Sequence, residues 1–447
     1  MFAFCGTILV LILNDDAFHK RRLYVKFVCE AWKVIIKRMR GSFENMKQLN
    51  VSMILRLIRE NAPVSRAQIA VMSGLTAATV TNITQKLLDI NLISECGLRE
   101  SGGGRPAVEI RLNPSAHYVF GICFAPKRVD VVLSNFEADI IESESTPVDK
   151  KDHVSVINTV MEIIDRMIKT HKVKRKLILG AGVAVNGIVD VENGRSVFAP
   201  YYQWRDVPLQ SLLEDRLKCP VFIENDTNAM AISERWFGLM RDYKLKTNVD
   251  ESFIALNIGN GVGAGIVIND KIYHGCNYAA GEIGHFVVDE NGTLCSCGKK
   301  GCLESLVSLP AIEENVKKML TDKMTQTQKS VLNSDIENVN IESICEAARN
   351  GDAFATEIIR KAGRNVGYAI ANLLTSLNPS RVIIGGEIIN AGDIFFNEIR
   401  ATIEKETLEI LYSPLEILPS HLGRYRAARG AVALVLSDFF KAENILI

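Results

Sequence analysis

The chain lacks any apolar run long enough to cross a bilayer, which takes about 20 consecutive residues. Its N-terminal run, MFAFCGTILVLIL, stops at thirteen residues and has no basic region ahead of it, and no later run comes closer to spanning length. Stable membrane insertion is therefore not expected. Aromatic residues are scarce at 7%, and charge of one sign is missing altogether, since 52 Lys+Arg balance 52 Asp+Glu. With 47% apolar and 23% charged residues the composition is that of a soluble globular protein, and 447 residues leave room for two or three domains.

The charge balance hides a segregation. Residues 1–46 hold 8 Lys+Arg against 4 Asp+Glu, residues 47–112 hold 8 against 5, and the rest carries 36 against 43. A basic front end on an acidic body suits a head that binds a polyanion. Residues 18–40 alternate basic and apolar positions and would form an amphipathic helix on a membrane surface if translated. The preferred reading is an upstream translation start, with the protein beginning near Met39 or Met46 and residues 1–45 standing apart as an extension.

Cysteine is present but unevenly spread: three of ten fall within eight residues. The segment Gly281–Glu304 reads GEIGHFVVDENGTLCSCGKKGCLE, with nine residues between His285 and Cys295, then Cys297 and Cys302. Cys3His is a usual tetrahedral zinc set, and short spacings let a tight loop present thiolates to one ion. Four protein ligands leave no open position, which makes the expected Zn2+ structural. The competing reading is of buried core cysteines beside an unrelated histidine. Glu282 and Glu304 flank the loop, and two carboxylates held there can accept hydrogen bonds from a polyol. Cysteines reserved for metal point to a reducing, cytoplasmic compartment.

From Lys47 the pattern turns regular. Leu49, Ile54, Leu57 and Ile58 form one apolar helical stripe, ended by Asn61-Ala62-Pro63. Ser65 followed by Gln68 is a capping-box start, with Ile69, Ala70 and Met72 directed inward. Ser73-Gly74-Leu75 supplies a tight turn, and Thr76 caps a helix that buries Val80, Ile83, Leu87 and Leu88. Ala77, Ala78, Thr79, Thr81, Asn82, Gln85 and Lys86 are left on its free face. This is a helix-turn-helix pattern, with small and polar side chains offered to a major groove and Lys86 and Arg66 placed for phosphates. An αα-hairpin in an enzyme core would more often carry Glu and Lys on that face. Leu92–Glu95 and Ala107–Leu112 read as two strands joined by Ser101-Gly102-Gly103-Gly104-Arg105-Pro106. That is the shape of a wing lowering Arg105 toward a minor groove, although a flexible linker fits the same residues.

From His117 the chain alternates strand-like and helix-like segments, the signature of an α/β body. Tyr118–Phe124, Val129–Ser134 and Ile140–Thr146 read as a three-stranded meander, followed by a helix, a buried strand over Leu177–Val185 and a short strand at Val221–Ile223. Gly259–Gly265 resembles a phosphate cradle, a weak signal alone.

The winged helix, ENDTNA at 224–229, the glycine loop, GEIGH with CSCGKKGCLE, and NPSRVIIGG occur in the order seen in the ROK family of repressors, open reading frames and sugar kinases, which the chain resembles over roughly residues 46–440. The resemblance implies a winged helix-turn-helix at 46–112 fused to a two-lobe, actin-like ATPase (ribonuclease H-like) body at 117–447. Its lobe boundary falls near residue 230, and a C-terminal helix returns to the first lobe. By layout the resemblance is to the family's sugar-responsive repressors, such as those of xylose operons.

The resemblance further implies that Gly187, Asn225, Asp226, Glu282, His285 and Glu304 meet a sugar. His285 would serve the metal with one ring nitrogen and the sugar with the other. In a kinase Asp226 would be the general base. The family usually has proline where Asn186 stands. Where its kinases have Asp-x-Gly-Gly-Thr-Lys, this chain has Cys123-Phe124-Ala125-Pro126-Lys127-Arg128, and Asn260 replaces a threonine. Losing the acid that organises Mg2+ and the glycines that approach phosphate should disable phosphoryl transfer. No catalytic residue is therefore expected. The partners implied are operator DNA, a sugar effector and a second copy of the chain, as a homodimer or higher homo-oligomer. The alternatives are a sugar kinase with a regulatory head, or a repressor sequestered by a protein partner.

Overall fold

In the computed structural model residues 46–99, 106–241, 252–321 and 330–441 are described. The extension at 1–45 and the wing tip with Arg105 lie outside them. The first helix, over 46–61, buries Val51, Ile54, Leu55 and Ile58. That i, i+3, i+4, i+7 set replaces the expected stripe, and Leu49 points outward at 59% exposure. Ser65 closes a capping box with Gln68 at the start of Arg66–Ser73, and Gly74 ends that helix in the left-handed region at φ 69°. Ile69 is buried there, whereas Met72 is exposed. Thr76 caps Ala77–Asp89 through the Thr79 amide, and Val80, Ile83, Thr84 and Leu87 face inward. Strands β1 (Val64–Ser65), β2 (Ile93–Arg99) and β3 (Ala107–Leu112) form a small sheet in the order β1-β3-β2. The compact unit that holds these elements runs to Arg111 and takes in residues 439–441, while Leu112–Asp438 forms a second unit.

The second unit begins with the meander β4 (Tyr118–Ala125), β5 (Arg128–Asn135) and β6 (Ile140–Pro147). Strand β7 (Ile178–Val185) joins parallel to β4. A three-stranded antiparallel sheet follows, β8 (Ile188–Asp190), β9 (Arg195–Ala199) and β10 (Trp204–Val207), which no periodicity in the sequence announces. Strand β11 (Val221–Asn225) then adds parallel to β7, giving the order β11-β7-β4-β5-β6. Phe120, Phe124, Val129 and Val131 pack with Val156, Val160, Ile163 and Met167 of the helix His153–Thr170 in one core.

The second sheet repeats this plan. Strands β12 (Phe253–Ile258), β13 (Val262–Ile268) and β14 (Lys271–Ile272) are antiparallel, and β15 (Arg381–Gly385) and β16 (Glu416–Pro419) extend β12 in parallel, in the order β14-β13-β12-β15-β16. Its core is filled from the helices Leu309–Thr321, Ile341–Arg349, Ala353–Leu377 and Asp393–Glu406. Two α/β lobes of one topology are the arrangement expected of an actin-like body.

The last helix, Arg426–Phe439, crosses back to the first sheet. Glycine makes the approach possible: a Cβ at Gly182 would lie 1.8 Å from the Ala431 carbonyl oxygen, and one at Gly121 would lie 2.1 Å from that of Ala428. A backbone oxygen has nowhere to move, so Gly182→Ala should destabilise the body by about 3 kcal/mol or more. The midpoint of urea unfolding measures this. An unchanged midpoint would show that the helix does not pack there.

Candidate functional site

The site starts where β11 ends. Asn225 leaves the strand in an extended conformation and caps the helix Asp226–Phe237, its Oδ1 accepting from the amides of Thr227 (2.9 Å) and Asn228 (3.1 Å). Its Nδ2 donates to the Gly187 carbonyl at 2.8 Å, tying the cap to the loop before β8. Gly187 has φ 118°, and a Cβ there would strike the Phe198 carbonyl. The next residue, Asp226, is 8% exposed. Its carboxylate accepts from Asn186 Nδ2 (3.1 Å) and the Thr227 amide (3.0 Å), yet burial pushes its pKa up to about 6. Asn186, at the position usually held by proline, thus stabilises the charge of Asp226.

Glu304 opens the short helix Glu304–Val307 and lines the same cleft. Its Oε2 accepts from the Val262 amide at 3.0 Å, and its Oε1 accepts from Ser296 Oγ at 3.2 Å. The glycine loop after β12 is therefore a tight turn, Gly259 N–H to Gly261 C=O at 2.9 Å, with one following amide already given to Glu304. Glu282 stands nearby, raised from the usual carboxylate range by burial and by the charge of Glu304, with His285 acting the other way. These residues line one cleft of about 780 Å³, together with Asn186, Gly187, Asn225 and Asp226. All six residues assigned to sugar by resemblance come together there.

His285, Cys295, Cys297 and Cys302 also converge, their ligand atoms all within 4.8 Å of one another. His285 Nδ1 lies 3.7 Å from Cys295 Sγ, and Cys297 Sγ lies 3.6 Å from Cys302 Sγ. A tetrahedral ion with bonds of about 2.3 Å spaces sulfur ligands roughly 3.8 Å apart, so the four residues fit a metal of that kind. The loop reaches this shape through Gly298 and Gly301, at φ 85° and 70°, and a Cβ at Gly301 would collide with the Asp289 carbonyl. Ser296 sits between two of the thiols and is the direct link from this loop to Glu304.

Beneath the cap, Glu224 is almost wholly buried. It accepts from the Asn225 amide (2.8 Å) and Asn228 Nδ2 (3.0 Å), and its other oxygen pairs with His274 Nε2 at 2.8 Å. Neither Glu224 nor His274 is marked by spacing in the sequence; only contact shows them. The pair holds His274 above its ordinary pKa, chiefly through the hydrogen bond to Glu224.

In the head, Ala77, Ala78, Thr81, Asn82 and Gln85 are exposed and Thr79 and Lys86 half-buried, all on one helix. Thr81 Oγ1 donates to the Ala77 carbonyl (2.8 Å) and Gln85 Nε2 to Asp89 (2.9 Å). Arg66 lies on the preceding helix, Arg66–Ser73. Its guanidinium donates to Thr84 Oγ1 (3.1 Å) and pairs with Glu95 (3.1 Å), so it has partners within the head.

The first unit is a helix-turn-helix with a small sheet, a DNA-binding type of head, and the second is a kinase-like body of two repeated α/β lobes with a cleft lined by acids. The chain belongs to the ROK family, whose model matches residues 126–438, and residues 51–94 match a winged helix-turn-helix DNA-binding model. It is 30% identical over 399 residues to a xylose repressor of Caldicellulosiruptor bescii, covering 89% of this chain and 98% of that one. It is 31% identical over 395 residues to the DNA-binding transcriptional dual regulator NagC of Escherichia coli, covering 88% and 94%. Among solved structures, a ROK family transcriptional regulator described as a homolog of the E. coli MLC protein matches with TM-score 0.75 and 28% identity over 89% of this chain and 98% of that one. A ROK family glucokinase from Streptomyces griseus, in complex with glucose and AMPPNP, matches with TM-score 0.61 and 26% identity, covering 71% and 98%.

Two titrations fall in separate pH windows. Asp226, raised from 3.8 to about 6, costs stability as pH rises across that interval. His274, raised above 6.5, contributes stability in full below that value and loses it as pH climbs through its folded pKa. Unfolding free energy should therefore decline as pH rises above 6.5, and His274→Asn should flatten that decline. An equal slope in the variant would show that the pair does not titrate as described.

Proposed function

We propose that the protein is a sugar-responsive transcriptional repressor. The head binds operator DNA, and a sugar in the cleft releases it. The observation that carries this reading is the convergence of Asn225, Asp226, Glu282 and Glu304 on one cleft in a chain that also has a winged helix-turn-helix. Carboxylates that are already fixed by backbone and side-chain donors lose little entropy when they accept sugar hydroxyls. The relatives named as a xylose repressor and as NagC support the regulatory role and a carbohydrate effector.

The ion we assign to His285 and the three cysteines is Zn2+. With four protein ligands it would supply fixed geometry and no reactive position. Held this way, His285 and, through Ser296, Glu304 face the sugar in set orientations.

Phosphoryl transfer is not the role we infer. The segment matching the first phosphate motif is a two-residue turn, with Ala125 paired to Arg128, Pro126 lacking an amide proton and Lys127 at φ 66°. Tyr202 closes it, donating to the Ala125 carbonyl at 2.7 Å. Cys123 stands buried where the kinases have an acid, and burial raises its thiol far from ionisation. A sugar that prefers the closed cleft shifts the equilibrium toward the released state. The protein is read as a cytoplasmic homodimer, since a helix-turn-helix reads half-sites one helical turn apart.

The test is fluorescence anisotropy of the full chain on a DNA segment selected by the protein from a random library, across a panel of pentoses and hexoses. One sugar should weaken DNA binding at least about tenfold, and Asp226→Asn should weaken the response to that sugar by about 10- to 100-fold while leaving sugar-free DNA binding intact. ATP-dependent phosphorylation of a sugar, abolished by the same substitution, would contradict the reading. So would DNA binding that no sugar changes.

A further inference from the structure

Two carboxamides, Asn186 and Asn225, line the cleft with Asp226 where β11 ends. Their hydrogen bonds differ, and the difference decides which of them can read a ligand. A carboxamide has two N–H donors and an oxygen with two lone pairs. The Asn225 oxygen already accepts three hydrogen bonds, from the Thr227 amide (2.9 Å), the Asn228 amide (3.1 Å) and Thr227 Oγ1 (2.6 Å). One of its two N–H groups goes to the Gly187 carbonyl at 2.8 Å. Asn225 is left with one donor and no acceptor. Its side chain serves the helix cap and the loop before β8, so it holds the corner together.

Asn186 is engaged differently. It is half-buried, and its backbone N–H donates to the Phe124 carbonyl at 3.3 Å, which fixes the residue against the end of β4. Its Nδ2 donates to Asp226 Oδ2 at 3.1 Å. A carboxylate only accepts, so the amide nitrogen has to face Asp226 and the amide oxygen has to turn away from it. Among the described residues no side-chain partner besides Asp226 is given to Asn186, which leaves Oδ1 and the second N–H to what enters the cleft. Asp226 keeps capacity as well, since Asn186 takes one lone pair on Oδ2 and the Thr227 amide one on Oδ1.

Two acceptors therefore stand side by side, a carboxylate and the oxygen of the carboxamide bonded to it. Their placement is fixed from both directions. Asn186 reaches from the loop between β7 and β8 to Asp226, and Asn225 reaches from the helix start back to Gly187 of that loop. Little side-chain entropy is left to lose on binding. Adjacent hydroxyls of a polyol match such a pair, one donating to Asp226 and its neighbour to Asn186. Proline, usual at this place in the family, has neither the donor that holds Asp226 nor an acceptor beside it.

We propose that Asn186 is a specificity-determining residue of the cleft: together with Asp226 it recognises two adjacent free hydroxyls of the sugar and rejects ligands that lack either one. This role rests on the sugar-binding function proposed above and deepens it by naming the feature of the sugar that is read. The selection is steep because an analogue without the hydroxyl leaves a half-buried acceptor with neither water nor a donor.

The experiment is titration calorimetry of the full chain with a panel of pentoses and hexoses, then with the monodeoxy analogues of the tightest binder. Two adjacent deoxy positions should each weaken binding by about tenfold or more in the unsubstituted chain. Asn186→Ala should weaken the parent sugar by about tenfold and shrink the penalty at one of those two positions to about threefold or less. The penalty at the other, read by Asp226, should persist, as should those at positions elsewhere on the ring. Asn186→Pro should give the same pattern, and carries the test should the alanine variant fail to fold. An affinity loss spread evenly over the parent sugar and every analogue would show that Asn186 only shapes the loop, and would overturn the proposal. Affinities that neither variant changes would overturn it too. In both of those cases the sugar reading stands. Absence of binding by every aldose would remove that reading, and the role of Asn186 with it.

Discussion

The body is organised around one junction, the passage from Asn225 to Asp226. There the last strand of the first sheet becomes the first turn of a helix, capped by Asn225 and packed against β12 and β13 of the second. The same amide that caps the helix binds the Gly187 carbonyl, so strand end, helix start and the loop over the cleft are fixed together. Asp226 is thereby held in a buried position that it would not occupy by itself, since desolvation drives its pKa up to about 6. Glu224 stabilises the junction from below through the Asn225 amide, Asn228 and His274. An uncompensated carboxylate this deep is expensive, and the donors around it explain how it is kept.

The two lobes share a topology, yet their equivalent turns have diverged in use. The β4–β5 turn is reduced to Pro126 and Lys127 and closed by Tyr202. The β12–β13 turn gives its Val262 amide to Glu304 instead of leaving it for a phosphate. A fold shared with sugar kinases thus keeps acids in its cleft, while the Val262 amide and the β4–β5 turn are engaged in internal contacts.

Much of this was legible in the sequence because its signals are local. The Ser65–Gln68 capping box, Gly74 and Thr76 set the helix-turn-helix, and strand-like runs marked the meander from Tyr118 to Thr146. The spacing of His285, Cys295, Cys297 and Cys302 marked the metal-ligand loop before any contact was known. Other features are set by tertiary contact and leave no local trace. Short strands β8–β10 have too few residues to show a period. Leu49 and Val51 are both apolar, and only packing decides which is buried. Arg66 reads as a free cation until Glu95, 29 residues away, is seen beside it. The cations at Lys127 and Arg424 lie far apart in the chain and share a cleft only because the last helix returns to the first sheet.

In the function we propose, zinc bound by His285 and the three cysteines holds the acids of the cleft in place through His285 and the Ser296–Glu304 hydrogen bond. Titration calorimetry of the sugar selected by the DNA-release assay, into zinc-loaded protein and into the same protein after chelation, tests it directly. About one zinc per chain is expected, with sugar affinity at least about tenfold weaker without it. Equal affinity in both samples, or purified protein that holds no zinc, would contradict it.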